Sequence, residues 1–242
     1  MKRKILILTA LLLVFTSCNK DNDIKVNEFV PQTINAKVEN AAEYSNIVEV
    51  KLMVYDSSAG WEVELARGEW KDGGFSIELP KTLAPNCLYA LINNSGQPST
   101  IINPPSTVTI SNKNVKLTNA SFWGIDKNGN VVTHFYFFKI DEDANAKRAF
   151  YTYVDADVSI SGHIKGEVAI CEQDEDTNAD IFYVWKKNTT YSIKWKKGWN
   201  VWCLSGSKSR TERIITEQWS TPPVSELKWY GGEDLWKLVF YH

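Results

Sequence analysis

From residue 150 to residue 160 the chain alternates without a break. Phe150, Thr152, Val154, Ala156, Val158 and Ile160 fall on one parity, and Tyr151, Tyr153, Asp155, Asp157 and Ser159 on the other. Successive side chains of an extended strand point to opposite faces, so a sustained period of two marks a half-buried β-strand. The same period runs through Val48, Val50, Leu52 and Val54, with Glu49, Lys51, Met53 and Tyr55 between them. It returns in Phe75, Ile77 and Leu79, directly after the turn Asp72-Gly73-Gly74. Residues 87–92 and 107–110 supply further strands, punctuated by Pro80, Pro85 and Pro104-Pro105, which cannot donate to a central ladder. No segment shows sustained helical spacing with caps. The chain is therefore expected to be all-β.

The second half repeats the pattern. Asp126-Lys127-Asn128-Gly129 reads as a hairpin turn, since Asn-Gly supplies positive φ angles. Residues 131–140 are apolar on both parities apart from His134 and Lys139, as in a central strand. Segments 181–185, 191–195, 201–204 and 212–219 follow as a meander, with turns at Gly198-Trp199-Asn200 and over 205–210. The expected organisation is two β-sandwich-type domains. A small immunoglobulin-like sandwich covers 30–110. A larger antiparallel domain covers 111–242 and closes as a sandwich or flattened barrel, because open edges invite aggregation. The stretch KDGGFSIELPKTL in the first of these resembles the strand-turn pattern of transthyretin-like or carboxypeptidase-regulatory-like domains.

The N-terminus reads as an address. Lys2, Arg3 and Lys4 precede an apolar run over 5–14, which is short of the ~20 residues a spanning helix needs. A positive n-region, a short apolar h-region and small residues before a cut describe a secretory signal peptide over 1–17. Phe15-Thr16-Ser17-Cys18 resembles a bacterial lipobox, with Phe15 where Leu is usual. The resemblance implies cleavage before Cys18 and its acylation. Two or more acyl chains anchor stably, each buried CH₂ contributing about 0.8 kcal/mol. Residues 18–29 then form a lipidated tether. Within it, Asn19-Lys20-Asp21-Asn22-Asp23 looks like the surface-export signal of Bacteroides-type lipoproteins, with Asn22 interrupting the acidic pair. The stretches YTYVDADVSISG, YSIKWKKGWNVWCLSG and SELKWYGG also resemble uncharacterised lipoproteins of that type, which carry no assigned activity. The implied location is the outer membrane, lipid-anchored and facing the exterior.

Charge narrows the partners. The full chain carries a formal charge of −2, and losing residues 1–17 removes three positive charges and leaves −5. An acidic chain without a basic cluster argues against nucleic acid, whose binding rests on phosphate neutralisation. Beyond Cys18 the cysteines are Cys87, Cys171 and Cys203, an odd number. Cys171 and Cys203 fall on expected strands of one domain and are the better candidates for a disulfide, which an exported protein permits. Small buried thiols explain them equally well. No cofactor motif is visible.

Three sets of residues could carry chemistry. Asp141, Asp143 and Asn145 repeat as Asp174, Asp176 and Asn178, the alternating oxygens that open a calcium loop. Ala146 and Ala179 replace the glycine of the sharp turn, and Thr152 and Trp185 the closing bidentate Glu, so solvated turns explain the loops better. Seven of the ten tryptophans lie between 185 and 236. Most fill core. Trp199, in an apparent turn, and Trp229-Tyr230, before Gly231-Gly232, are the candidates for open aromatic surfaces that take a sugar ring or a protein. Asp155 and Asp157 share one strand face about 6–7 Å apart, near the spacing of a hydrolase pair, but alternation places both on the solvent side. The expected function is a non-catalytic cell-surface module binding a polysaccharide or host surface. The alternative is a structural or adhesin subunit that binds a surface protein through edge strands. A glycoside-acting enzyme comes third.

Overall fold

The structure is a computed structural model that describes residues 33–93, 101–102, 104–140, 145–173, 180–221 and 226–232. The expected signal peptide, Cys18 and the expected tether lie outside these residues. Extended segments run in chain order as β1 (Thr33–Lys37), β2 (Ile47–Asp56), β3 (Trp61–Lys71), β4 (Gly74–Glu78), β5 (Tyr89–Ala90), β6 (Ile92–Asn93), β7 (Ile101–Ile102), β8 (Val108–Ile110) and β9 (Lys116–Asn119). They continue as β10 (Ser121–Asp126), β11 (Val131–Ile140), β12 (Ala146–Val154), β13 (Val158–Gln173), β14 (Asp180–Trp195), β15 (Gly198–Ser209), β16 (Ile214–Ser220) and β17 (Lys228–Gly232). Among the described residues the helical turns are two 3-10 pieces, Ala41–Tyr44 and Pro85–Cys87, and no helix is long and apolar enough to cross a membrane. The all-β expectation holds.

One open, mixed sheet carries most of the strands, in the order β1-β4-β3-β2-β10-β11-β12-β15-β16-β14-β13-β8. β17 pairs with β11, and β9 pairs with both β12 and β5. Neighbours are antiparallel except β14 and β16, which run parallel, so the last strands are not a simple meander. No break in the sheet falls at residue 110. β2 is hydrogen-bonded to β10 and β8 to β13, so strands from both sides of the expected boundary share one ladder.

Two cores form, and each crosses residue 110. The first joins Val50, Leu52, Phe75 and Ile77 to Phe122, Phe135, Tyr151 and Trp229. The second joins Leu91, Val115 and Leu117 to Ile160, Trp185, Ile193, Trp195 and Ile215. The paired strands β12 and β15 are the wall between them. Ala149, Tyr151, Tyr153, Trp199, Val201 and Cys203 face the first core. Val154, Trp202 and Leu204 face the second, with Phe150 packed against it. The period-two segment 150–160 is therefore not half-buried. Its first part is covered on both faces, and a bend at Asp155-Ala156 separates β12 from β13.

Local chemistry explains most turns and one irregularity. Asp72 (φ 53°) and Gly73 (φ 72°) form the two-residue turn between β3 and β4, with Lys71 opposite Gly74. Two successive positive φ values are what a tight hairpin needs. At the turn after β10 Gly129 takes positive φ (85°) and Asn128 does not. The Asp126 carboxylate closes that turn instead, accepting from the Asn128 and Asn130 amides at 2.8 and 2.9 Å. In β2 the register against β10 slips between Ile125 and Asp126, which lie opposite Glu49 and Ile47. Val48 is skipped and turned outward at 46% exposure, while Ile47 takes the interior place, as a bulge requires.

Candidate functional site

β13, β14 and β16 cover the second core with one face only. Inward on this sheet are Ile160, Tyr191, Ile193, Trp195 and Ile215, all buried. Burial and the nearby Glu217 carboxylate push the Tyr191 phenol up. Glu217 also points inward at 3% exposure, its Oε1 2.9 Å from Lys187 Nζ. Everything on the opposite parity faces out, and there the sequence turns small and polar.

Register lines these outward residues up across the strands. Thr109, Ser161, Ser192 and Ser220 form one row. His163, Thr190, Gln218, Ser205 and Lys147 form the next. Lys165, Asn188, Thr216 and Ser207 form a third. Neighbours within a row stand about 4.8 Å apart and rows about 7 Å apart, from strand spacing and rise. Where this face meets β12, Asn145, Lys147, Ser205, Ser207, Thr216 and Gln218 line a shallow groove of about 340 Å³. Lys147 Nζ is held 3.0 Å from Glu226 Oε2 at its rim. Hydroxyls and amides both donate and accept, so the groove can hydrogen-bond an equally polar, hydroxyl-bearing partner. Its described lining contains no carboxylate.

The face continues along the β13–β14 hairpin into an apolar patch. Phe182 is 71% exposed and Val184 60%, on the same parity of β14 as Asn188 and Thr190. Cys171 and Ala169 lie directly opposite them on β13. An open aromatic ring thus lies on the same face, about 20 Å along β14 from the nearest polar row.

The aromatic candidates from the sequence lie elsewhere. Trp199 is buried at 3% and Trp229 at 5%, so the expectation of open aromatic surfaces at these two positions is corrected. The cause is strand extent. β15 runs unbroken from Gly198 to Ser209, through both segments expected to be turns, so Trp199 points into the first core. Its Nε1 donates to the Pro80 carbonyl at 2.8 Å. Trp229 stacks on Phe137 at 5.2 Å and meets Phe75 and Phe122 edge-on. Tyr230 points the other way, half-buried, its ring 4.6 Å from that of Phe138. The three aromatics form no common patch.

The remaining candidates separate in the same way. Cys171 and Cys203 form no disulfide with each other. β14 and β16 lie between their strands, a separation of roughly 14 Å, twice what a disulfide spans. Asp141, Asp143, Asp174, Asp176 and Asn178 lie outside the described residues. Asn145 lies in the groove as a neutral amide. Among the described residues no group of three or more His, Cys, Asp or Glu could hold a metal ion. Asp155 and Asp157 are not on a strand face. They brace the bend between β12 and β13, Asp155 accepting from the Lys116 amide at 2.9 Å and Asp157 from the Lys197 amide at 2.8 Å. That amide and the Lys196 ammonium hold the Asp157 carboxyl below its usual range.

Sequence reasoning missed the polar rows and Phe182. A signal for the second existed: residues 181–185 are apolar on both parities, which means either two buried faces or one exposed patch. Comparison of the chain with protein-family models, with curated proteins and with solved structures returned no match.

Proposed function

We propose that this chain is a non-catalytic binding module of a lipid-anchored surface protein, and that the open face of β13, β14, β15 and β16 takes a polysaccharide. The observation that carries this is a single open face that holds three rows of hydroxyl and amide side chains and, about 20 Å further along β14, the exposed Phe182 ring. A sugar presents hydroxyls at its rim and C–H groups on its faces. The rows supply hydrogen bonds, direct or through water, and the ring supplies an apolar platform. The anchor is the acylated Cys18, with the module facing the cell exterior. The test is binding of the full-length protein, in mild detergent, to a broad panel of polysaccharides. Phe182→Ala and Gln218→Ala are expected to weaken binding at least several-fold. No saturable binding anywhere on the panel overturns the proposal. Exposure on the cell is tested by adding a protease to intact cells. Survival there with digestion after lysis would sink the surface placement.

A second function has its own support. β8 pairs with β13 only over Ile160–Gly162, and among the described residues no strand pairs with the outer edge of β13 beyond it. An unpaired edge is a template for strand addition by a protein partner. Glu167→Pro removes an outward amide there without touching the β14 ladder. Loss of a protein partner on that change, with polysaccharide binding absent, would favour the structural or adhesin role.

A further inference from the structure

The charge on the open face contrasts with that on the outer surface of β2 and β3. The chain as a whole is acidic, at −2. On the outer surface of β2 and β3 the cations are neutralised by carboxylates beside them. Lys51 Nζ lies 3.1 Å from Glu64 Oε2, and Arg67 lies 2.7 Å from Glu64 Oε1 and 3.2 Å from Glu49 Oε2. On the open face Lys165, Lys186 and Lys194 are all exposed, and none makes an ion pair with a described residue. The described acid among these lysines is Glu167, opposite Lys186 and beyond ion-pair distance from it. Residues 174–179 lie outside the described residues.

The cations are also placed along one direction. Lys186 and Lys194 lie on the same parity of β14, eight residues apart, a span of about 26 Å at the rise of a strand. Lys165 sits diagonally beside Lys186, opposite Asn188. Between the two ends lie His163, Thr190, Ser161 and Ser192. A neutral sugar chain has no use for fixed cations at both ends of its track. A chain carrying repeated negative groups meets two cations at one end, one at the other, and hydroxyls between.

We infer that the ligand of this face is an anionic polysaccharide, laid along the strands from Lys194 to Lys165 and Lys186 and on to the Phe182 ring about 13 Å beyond Lys186. The inference rests on the binding function proposed above and names its substrate class. Carboxylate and sulfate ester both supply the required charge.

The test uses the full-length protein in mild detergent with three probes: polygalacturonate, dextran sulfate and neutral dextran. Binding is measured at low and at raised salt, for the parent protein and for Lys186→Glu, Lys194→Glu and Lys165→Glu. Lys127→Glu, in the exposed turn after β10, is the control. One or both anionic polymers are expected to bind in preference to neutral dextran, and which of them does identifies the anion. Each reversal on the face is expected to weaken binding by about threefold or more, the scale of an exposed charge pair, and added salt to weaken it further. The control is expected to change nothing. Equal binding of neutral dextran, indifference to the three reversals, or an equal effect of the control overturns the inference while leaving a polysaccharide module standing. Failure of all probes and of the wider panel overturns both.

Discussion

The wall β12–β15 and the hairpin β13–β14 are built from similar alternating sequence, yet they meet opposite fates. The wall buries both parities over 149–154 and 199–204, one against each core. The hairpin buries one parity and gives the other to solvent. Its outward strip runs from Phe182 and Val184 through Lys186, Asn188 and Thr190 to Ser192 and Lys194. The difference lies in what each strand is packed between. A strand flanked by elements on both faces has no place for a charge. A strand covered on one face is free to carry charge, hydroxyl or ring on the other.

The largest effect is expected in the wall. Trp202 is 3% exposed, stacked on Phe150 at 4.5 Å and on Trp219 at 4.8 Å. Its Nε1 donates to Thr152 Oγ1 at 2.8 Å, and that hydroxyl also contacts the Asn119 side-chain oxygen. Trp202→Ala removes the stack, opens a cavity and leaves a buried hydroxyl short of a partner. A loss of about 3–5 kcal/mol is expected in urea unfolding. A loss under about 1 kcal/mol would mean that the wall is not packed on both sides.

A second effect separates the regions by pH. Burial pushes the Tyr151 phenol up to about 12 from its ordinary 10.0, and the Cys203 thiol up to about 11 from 9.0. Both groups are neutral when protonated. Above its ordinary value each ionises in the unfolded chain while the native wall still holds the proton. Stability is thus fully present below pH 9 and is lost as pH rises through 11 and 12. A shift of that size corresponds to roughly 3 kcal/mol when complete. Tyr151→Phe is expected to flatten this alkaline loss, as followed by unfolding at fixed pH values between 8 and 12. An unchanged slope in the variant would show that the wall phenol is not shielded.

Fold class was legible because period two survives any tertiary arrangement. The coverage of each face was not. Tyr151 and Tyr153 look like solvent-facing positions beside Phe150 and Thr152, since a phenol suits either side. Only the first core, assembled from strands as distant as β1 and β17, decides the matter. Trp199 was misplaced because Gly198 and Asn200 are turn residues by composition. In the structure Gly198 takes positive φ (105°) at the first residue of β15, and Asn200 bonds back to the Lys196 and Gly198 carbonyls at 2.7 and 2.9 Å. The turn chemistry is real, but it lies at the head of the strand. The boundary at residue 110 failed for a related reason. Pro104-Pro105 ends a segment, but hydrogen bonding between β2 and β10 joins what the prolines separate in sequence.

The smallest effect is the sharpest test of the comparison. Phe182, Tyr183, Val184 and Trp185 are consecutive and all apolar, and they differ only in parity. Trp185 is 1% exposed, with Lys208 Nζ 4.7 Å from its ring centre, and the Tyr183 ring lies 4.3 Å from the Arg213 guanidinium. Phe182 and Val184 are open. Serine at 182 or 184 is therefore expected to change stability by no more than about 0.5 kcal/mol. Serine at 185 is expected to cost about 3 kcal/mol or more, with 183 between. The outward changes also shrink an exposed apolar patch, so they should raise solubility. If 182 and 184 cost as much as 185, something covers the outer face in solution, and that cover, rather than solvent, is what the hairpin is shaped to meet.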